Sequence, residues 1–208
     1  MSPEIILAFD ASAAHCAAAL LWGEVLADAR HVTRVTTRVE LMQKGQAEAM
    51  VPMLDALLAD ASLGWDDISA VAVGVGPGNF TGIRIAVALA RGLALGLKVP
   101  AIGVTGFEAM APAAKHPFWA VIDAPRDQTY VQRQDAETQA PRSVARADLD
   151  TLDAPLLWMS QISVDDLIRN IAVTGFHRAA SPHPRPAPFY LRGADAAPPS
   201  ELPPVILP

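Results

Sequence analysis

The sequence predicts an α/β protein in which two lobes each hold a mixed β-sheet flanked by helices. Strand-like and helical patterns follow one another in the order strand-strand-strand-helix-strand-helix-strand-helix, which is typical of an α/β fold with mixed strand pairing. The same kind of pattern restarts at Phe118, which predicts a second, smaller lobe. Of the 208 residues, 51% are hydrophobic and 18% are charged, so the chain is apolar enough for a packed core and is not a disordered protein.

The first lobe is predicted over residues 1–105. It opens on a continuous apolar run, typical of a strand covered on both faces, that ends at Asp10. Two further strands are expected around a turn at Gly23 and Glu24. Apolar residues that share one helical face predict the helices of this lobe. The predicted strands are 5–9, 15–22, 25–32, 70–73 and 101–104, and the predicted helices are 46–61 and 81–97.

The second lobe is predicted over residues 106–180. Thr105, followed three residues later by Glu108, forms a capping box that opens the helix at its start. Apolar runs then predict strands, and a short helical pattern near the end precedes one more strand. The predicted strands are 118–122, 129–132 and 171–173, and the predicted helix is 163–170.

A proline-rich arm is predicted over residues 181–208, which hold half of the 18 prolines. Alternating prolines fix φ and remove backbone donors, so the arm is expected to be extended and of polyproline type. Its apolar island at residues 189–192 is expected to dock on the body of the protein. Residues 197–208 are expected to be disordered.

Composition excludes several classes of protein. The single cysteine, Cys16, rules out an internal disulfide framework and is typical of a reducing cytoplasm. The net charge of -6 and the pI of about 5.3 argue against a self-sufficient nucleic-acid binder, so another subunit would have to supply a positive surface. No uninterrupted apolar run is long enough to span a membrane, and the start of the chain lacks the basic residues of a signal peptide.

A glycine-rich segment, GVGPGNFTGIR over residues 74–84, joins a predicted strand to a predicted helix. Such a turn can bind an anion through backbone N–H groups and the helix dipole, or it can simply let two elements pack closely. Asn79 stands where a dinucleotide fingerprint needs glycine, and no Gly-Lys-Ser/Thr closes the loop. The residues of this structural or ligand-binding loop are Gly76, Pro77, Gly78, Phe80, Thr81 and Gly82.

Two carboxylates end predicted strands and have the same two interpretations. Asp10 heads a hairpin that includes Ser12, and Asp123 ends the first strand of the second lobe. Each carboxylate could bind a hydrated magnesium ion, or each could accept hydrogen bonds from N–H groups of the turn. His15 and Cys16 are neighbours on a strand and point to opposite faces, so they cannot form a catalytic couple. The five histidines show no metal-binding spacing, and no metal site is expected.

Four segments resemble the TsaB (YeaZ) family. They are ILAFDASAAHCAAALLWG, GQAEAMVPMLDALL, VGPGNFTGIRIAVALARGLALGLKVPAIGVTGFEAMA and VIDAPRDQTYV, which together cover roughly residues 4–133. Pro188 with Tyr190, Leu191 and Arg192 resembles the family's Pro-x-Tyr-Leu-Arg ending. The family is the bacterial scaffold of the machinery that makes threonylcarbamoyladenosine beside the tRNA anticodon.

The resemblance implies an actin-like ATPase fold of two ribonuclease-H-like lobes. It also implies a non-catalytic, cytoplasmic subunit, because the paralogue TsaD carries the metal and transfers the threonylcarbamoyl group. The implied partners are a TsaD-like catalytic subunit and a TsaE-like P-loop ATPase, with tRNA bound only through the complex. No cofactor is expected for the chain alone, and ATP or ADP is the candidate ligand at the junction with the partner.

The helices at about 46–61 and 81–97 are predicted to form the surface that engages TsaD, and alone the chain is expected to form a homodimer there. Arg84, Arg91 and Lys98 are spaced by seven and mark one polar stripe on an otherwise apolar helix. Val51 and Met53 are expected to lie away from the buried face of the first helix. The alternative is that the lobe itself covers both helices. The predicted interface residues are Glu48, Val51, Met53, Leu57, Arg84, Ala88 and Arg91.

Three positions depart from the family pattern. Gln46 and Ala47 stand where a histidine and a serine are usual, and Pro125 interrupts the usual Asp-Ala-Arg. These departures count against small-ligand functions of those positions more than against membership of the family. Apart from these departures, an ATP-dependent phosphotransferase or ATPase of the actin and sugar-kinase superfamily, to which the implied fold belongs, is kept as the alternative function. A peptidase, the label historically attached to relatives, is disfavoured because the sequence offers neither a serine-hydrolase elbow nor a metal pair.

Overall fold

The first lobe is built on a five-stranded mixed sheet. The computed structural model describes residues 4–26, 29–115, 117–135 and 139–191. The strand order is β3-β2-β1-β4-β5, with β1, β2 and β3 paired antiparallel and β1, β4 and β5 paired parallel. The strands are β1 (Glu4–Asp10), β2 (His15–Leu26), β3 (Ala29–Leu41), β4 (Ala70–Gly74) and β5 (Ala101–Val104).

The second lobe holds a smaller mixed sheet of four strands in the order β8-β7-β6-β9. The central strand β6 pairs antiparallel with β7 and parallel with β9. The strands are β6 (Phe118–Ala124), β7 (Gln128–Gln134), β8 (Arg142–Ala145) and β9 (Leu156–Trp158). The two mixed sheets confirm the predicted class of fold.

Helices cover both faces of the first sheet because successive residues of its central strands point to opposite sides. The odd-numbered residues of β1, such as Leu7, pack with α1 (Gln46–Asp60) and α2 (Phe80–Leu97), whereas its even-numbered residues, such as Ile6, pack with α4 (Val164–Arg178). This is why β1 is apolar throughout. The structure also contains the short helix α3 (Gly106–Met110). The Thr105–Glu108 capping box of α3 forms as predicted.

Two local predictions are wrong. The turn expected at Gly23 and Glu24 is absent, since β2 continues through both residues to Leu26. Gly23 lies under the ring of Phe176, which a Cβ at this position would overlap, and the pairing with β3 shifts register beside it. Glycine in a strand interior often marks such a close approach or bulge.

The strand expected at 171–173 is the second half of α4. Its apolar residues belong to the buried stripe of that helix, which repeats every three to four residues. The stripe comprises Leu167, Ile168, Ile171, Ala172 and Phe176. Although α4 follows the second lobe in the chain, it packs against the sheet of the first lobe.

The C-terminal arm returns to the body of the protein. The N–H of Phe189 donates to the carbonyl of Val75 at 2.8 Å, and its ring packs against the apolar clusters of both lobes. Leu191 packs on the cluster of the second lobe. The predicted docking of the apolar island is thus confirmed for residues 189–191, while Arg192 and the segment 197–208 lie outside the described residues.

Candidate functional site

The glycine-rich loop between β4 and α2 packs directly on the β1–β2 hairpin. A Cβ at Gly74 would overlap the carboxylate of Asp10, and one at Gly78 or Gly82 would overlap a carbonyl oxygen of the hairpin. The N–H of Asn79 also donates to the carbonyl of Ser12 at 2.6 Å. The geometry therefore favours the interpretation of these glycines as residues that permit close packing. The hairpin backbone occupies the positions that side chains at Gly78 and Gly82 would take.

The start of α2 is capped from within the chain. Asn79 is the N-cap residue, and its Oδ1 accepts from the N–H of Gly82 at 3.0 Å. The next two residues, Phe80 and Thr81, are exposed at the first turn. On the other side of the loop, the carbonyl of Gly76 accepts from the N–H of Gly106 at 2.8 Å, so the loop also contacts the start of α3. Pro77 lines the cleft beside it.

Asp10 is enclosed by its neighbours. Its side chain is 2% exposed, and its Oδ2 accepts from the N–H of Ser12 at 3.0 Å and from the hydroxyl of Ser12 at 2.9 Å. The same oxygen lies 2.7 Å from Nε2 of the buried His15, a distance at which the imidazole donates to the carboxylate. Of the two interpretations of Asp10, acceptance of hydrogen bonds within the turn fits this arrangement. No sequence pattern indicated the contact between Asp10 and His15, because it depends on the conformation of the hairpin.

A cleft of about 520 Å³ separates the hairpin and the glycine-rich loop from the second lobe. Asp123 lies on its far wall and forms an ion pair with Arg146. The two carboxylates considered for magnesium therefore each have a basic side chain of the same chain as partner. In the described ranges, no group of three or more His, Cys, Asp or Glu side chains is placed to hold a metal ion. The cleft is lined by Ser12, Ala13, Ala14, His15, Gln43, Pro77, Gly78, Asn79, Ile122, Asp123, Met159, Ser160, Ile162, Val164 and Leu167.

Two titratable groups near these elements have shifted pKa values. Burial, aided by the charges of Glu40 and Asp10, raises the pKa of the Cys16 thiol to about 11, so the thiol is protonated at neutral pH. Burial also tends to raise the pKa of Glu108, but hydrogen bonds from Arg178 and Thr105 outweigh it and place that pKa below its ordinary value. Glu108 thereby ties α3 to the end of α4.

The predicted interface residues on α2 share an exposed face. Arg84, Ala88 and Arg91 are all exposed, and Leu95 on the same face is 82% exposed. A Cβ added at Gly92 would meet nothing within 4 Å. Within the described residues, α2 is the helix whose length and apolar composition would suffice to cross a membrane, and 33% of it is buried. Buried core helices of soluble proteins have the same length and composition, so this is weak evidence for a membrane. The large apolar side chains exposed on α2 are Phe80 and Leu95.

On α1 the prediction is partly wrong. Glu48 and Val51 are exposed, but Met53 is 3% and Leu57 is 5% exposed, and both lie in the core cluster under the helix. The reason is that the buried stripe of α1 includes Met53 and Leu57 together with Met50, Leu54 and Leu58. Met53 and Leu57 therefore stabilise the lobe and are not available to a partner on the free chain.

A contact between α2 and the C-terminal arm was not among the features predicted from the sequence. The rings of Phe80 and Tyr190 stack with centroids 5.2 Å apart at an interplanar angle of 27°. The guanidinium carbon of Arg84 lies 3.7 Å from the centroid of Phe80, and its Nε donates to the hydroxyl of Tyr190 at 2.9 Å. We call these three residues the Phe80–Arg84–Tyr190 cluster. A signal was present, since Phe80, Arg84 and Tyr190 all fall in segments that carry the family resemblance.

A family model and several curated proteins are similar to this chain in sequence. Residues 36–197 match the family model described as TsaD, tRNA N6-adenosine threonylcarbamoyltransferase. The chain is 34% identical over 148 residues to the tRNA threonylcarbamoyladenosine biosynthesis protein TsaB of Haemophilus influenzae. The aligned region covers 69% of this chain and 56% of that protein. It is 37% identical over 109 residues to TsaB of Escherichia coli, and that aligned region covers 52% of this chain and 43% of the relative. The chain thus spans about half the length of the curated relatives it matches.

Two solved structures have similar folds. One is an uncharacterized protein with similarity to peptidase YEAZ from Pseudomonas aeruginosa, with a TM-score of 0.68 and 25% identity, covering 91% of this chain and 100% of that one. The other is YeaZ from Pseudomonas aeruginosa, with a TM-score of 0.65 and 23% identity; the superposed region covers 84% of this chain and 93% of that one. Together with the two mixed sheets, these likenesses confirm the actin-like fold of ribonuclease-H-like lobes that the resemblance implied.

Proposed function

Since this chain belongs to the TsaD family, in its TsaB (YeaZ) group, we propose that it is a non-catalytic partner subunit of the complex that forms N6-threonylcarbamoyladenosine in tRNA. In this proposal it binds and supports a TsaD-like catalytic subunit in the cytoplasm. A TsaE-like P-loop ATPase completes the set, and tRNA is bound through the complex. The acidic chain itself, with a net charge of -6, lacks the overall charge of a nucleic-acid binder.

The observation that carries the proposal is the exposed apolar face of α2. An apolar helix of a soluble protein is normally covered on most sides, yet Leu95 is exposed and the space above Gly92 is open. Small residues on such a face let a second helix approach closely. Contiguous exposed apolar surface marks protein–protein contact sites. A helical partner that packs on α2 accounts for both features.

The exposed charged residues of α1 and α2 also support the proposal that these helices form a contact surface. The exposed side of α1 carries Glu48 and Asp55, spaced by seven, and the exposed side of α2 carries Arg84 and Arg91, also spaced by seven. A two-fold axis would bring the acidic helix of one copy to the basic helix of the other, which is the self-complementary arrangement that a symmetric dimer requires. We therefore propose that the free chain forms a homodimer through this surface and exchanges the second copy for the catalytic subunit.

The alternative function, an ATP-dependent phosphotransferase or ATPase, draws support from the cleft between the lobes. Against it stand the enclosure of Asp10 by Ser12 and His15 and the absence of a lysine from residues 74–84. We propose that any ATP or ADP that this subunit contacts lies at its junction with the catalytic partner.

The test is co-expression with the TsaD-family subunit of the same genome, followed by size-exclusion chromatography. Gly92→Leu adds a side chain where the free chain has room, so the variant should fold but lose co-elution. The matched control is Arg169→Leu, which places the same side chain on the exposed side of α4, on the opposite face of the sheet. Wild-type co-elution of the folded Gly92→Leu variant would refute the proposed surface.

A further inference from the structure

The two aromatic rings of the Phe80–Arg84–Tyr190 cluster are only half covered by the rest of this chain. Phe80 is 50% and Tyr190 is 41% exposed, although their rings are held in a fixed stack. Aromatic side chains that are rigid and half-exposed bury a large area at little cost in conformational entropy when a partner covers them. The cluster is thus already in a geometry suited to binding.

Arg84 has hydrogen-bonding capacity to spare. Its Nε is engaged by the hydroxyl of Tyr190, and its guanidinium plane lies over Phe80. In the part of the chain that the structure describes, no carboxylate forms an ion pair with it. The two terminal nitrogens of a guanidinium match the two oxygens of a carboxylate, and such bidentate pairs are among the stronger and more directional polar contacts.

The cluster is continuous with the exposed face of α2. Arg84, Ala88, Arg91 and Leu95 succeed one another at intervals of four, three and four residues, which places them along one side of a helix. Phe80 begins that side, and the arm brings Tyr190 next to it. The surface proposed for the partner therefore extends beyond the helix and includes the end of the C-terminal arm.

We propose that the Phe80–Arg84–Tyr190 cluster anchors a carboxylate-bearing helix of the catalytic partner, with the C-terminal arm forming part of the interface. This inference rests on the proposed function. The partner helix packs an apolar side chain on the outer face of Tyr190 and presents an Asp or Glu to the terminal nitrogens of Arg84. Tyrosine and arginine are the residue types that most often dominate binding energy at protein interfaces.

Tyr190 acts in two ways in this arrangement. Its ring supplies contact area, and its hydroxyl accepts from Nε of Arg84 and so fixes the orientation of the guanidinium. The position of Tyr190 depends in turn on Phe189, which is packed between the apolar clusters of the two lobes. The arm is consequently held to the body by one aromatic residue while the next faces the partner.

The test measures the affinity of the full chain for the purified TsaD-family subunit of the same genome by isothermal titration calorimetry. Tyr190→Ala should lower the affinity at least tenfold, which corresponds to about 1.4 kcal/mol. Tyr190→Phe keeps the stack but loses the hydroxyl and should lower it by a smaller factor. Arg84→Glu should lower it more than tenfold because it opposes the partner's carboxylate. Leu41→Ala, which truncates an exposed residue at the end of β3, is the control and should change nothing.

The outcomes separate this inference from the proposed function. Circular dichroism and thermal melting establish that each variant is folded. If Gly92→Leu abolishes binding while folded Tyr190→Ala and Arg84→Glu bind as the wild type does, the anchor is refuted and the α2 surface stands. If none of the three variants weakens binding, both proposals are wrong. If Tyr190→Ala and Arg84→Glu lose affinity and Leu41→Ala does not, the anchor is supported.

Discussion

The imidazole of His15 and the carboxylate of Asp10 form a buried pair, with Nε2 and Oδ2 2.7 Å apart and both side chains nearly inaccessible to solvent. Asp10 ends the central strand β1 and His15 begins β2, so the pair closes the hairpin that packs on the glycine-rich loop. Oδ2 of Asp10, which was considered as a magnesium ligand, is thus hydrogen-bonded to Ser12 and His15 of the same chain.

Removal of this carboxylate should destabilise the protein strongly. Asp10→Ala leaves the N–H and hydroxyl of Ser12 and the imidazole of His15 without their acceptor in a buried site. A buried hydrogen-bonding group left without its partner typically costs about 1–3 kcal/mol. The free energy of unfolding from urea denaturation should fall by that amount.

The matched control is Asp123→Ala, which removes the other candidate carboxylate. Asp123 is largely exposed and its pair with Arg146 is a surface one, so the expected loss is below about 1 kcal/mol. Equal losses in the two variants would contradict the structural role assigned to Asp10.

The isolated chain should bind nucleotide weakly and show no measurable ATPase. Oδ2 of Asp10 already has three partner groups, and the hairpin backbone occupies the space over Gly78 and Gly82. Calorimetry with ATP and magnesium is the measurement. Micromolar affinity, about 8 kcal/mol of binding free energy, would reverse this assignment and favour the phosphotransferase alternative.

Two glycine substitutions in helices should have opposite effects on stability. A Cβ at Gly175 of α4 would overlap the Cβ of Ala72 on β4, so Gly175→Ala should lower the free energy of unfolding by about 1–3 kcal/mol. A Cβ at Gly92 of α2 meets nothing within 4 Å, so Gly92→Ala should raise it by up to about 1 kcal/mol through helix propensity. Urea denaturation of both variants checks the pair. A stabilising Gly175→Ala would show that α4 is not packed as closely on the sheet as described, and a destabilising Gly92→Ala would show that the space at Gly92 is not open.

Local periodicity predicted α1 and α2 to within about one residue, because each buries one stripe of apolar residues at helical spacing. It failed where contacts distant in sequence decide the structure. Gly23 belongs to a strand because β2 pairs with β1 and β3 at that point, and it is glycine where Phe176 lies over it. Residues 171–173 belong to a helix because α4 packs along the first sheet. The same holds for the site, since Tyr190 meets Arg84 across 106 positions of the chain.

Stability should depend on pH through Glu108. Its folded-state pKa lies below the ordinary value of 4.5, so its contribution is present above that pH and is lost as the pH falls through the folded-state pKa. Glu108→Gln should lower the melting temperature by about 2 °C or less at pH 7, because the pair with Arg178 is partly exposed. The difference from the wild type should shrink as the pH falls below 4.5. A difference that grew on acidification would contradict the direction of the shift.

Truncation of the C-terminal arm should separate its two parts. A chain that ends at Arg192 should keep the wild-type melting temperature and bind the TsaD-family subunit normally, because residues 193–208 have little periodic apolar surface to offset the entropy of ordering them.

A chain that ends at Pro188 loses Phe189 and Tyr190 together. Phe189 packs in the apolar clusters of both lobes and its N–H donates to Val75, so this truncation should lower the free energy of unfolding by about 2 kcal/mol. It should also weaken partner binding at least as much as Tyr190→Ala, because the arm no longer brings Tyr190 to Phe80. The two chains should therefore differ in both thermal melting and calorimetric affinity. A drop of several degrees in the longer chain would show instead that residues 193–208 stabilise the fold, and the division of the arm at Arg192 would be wrong.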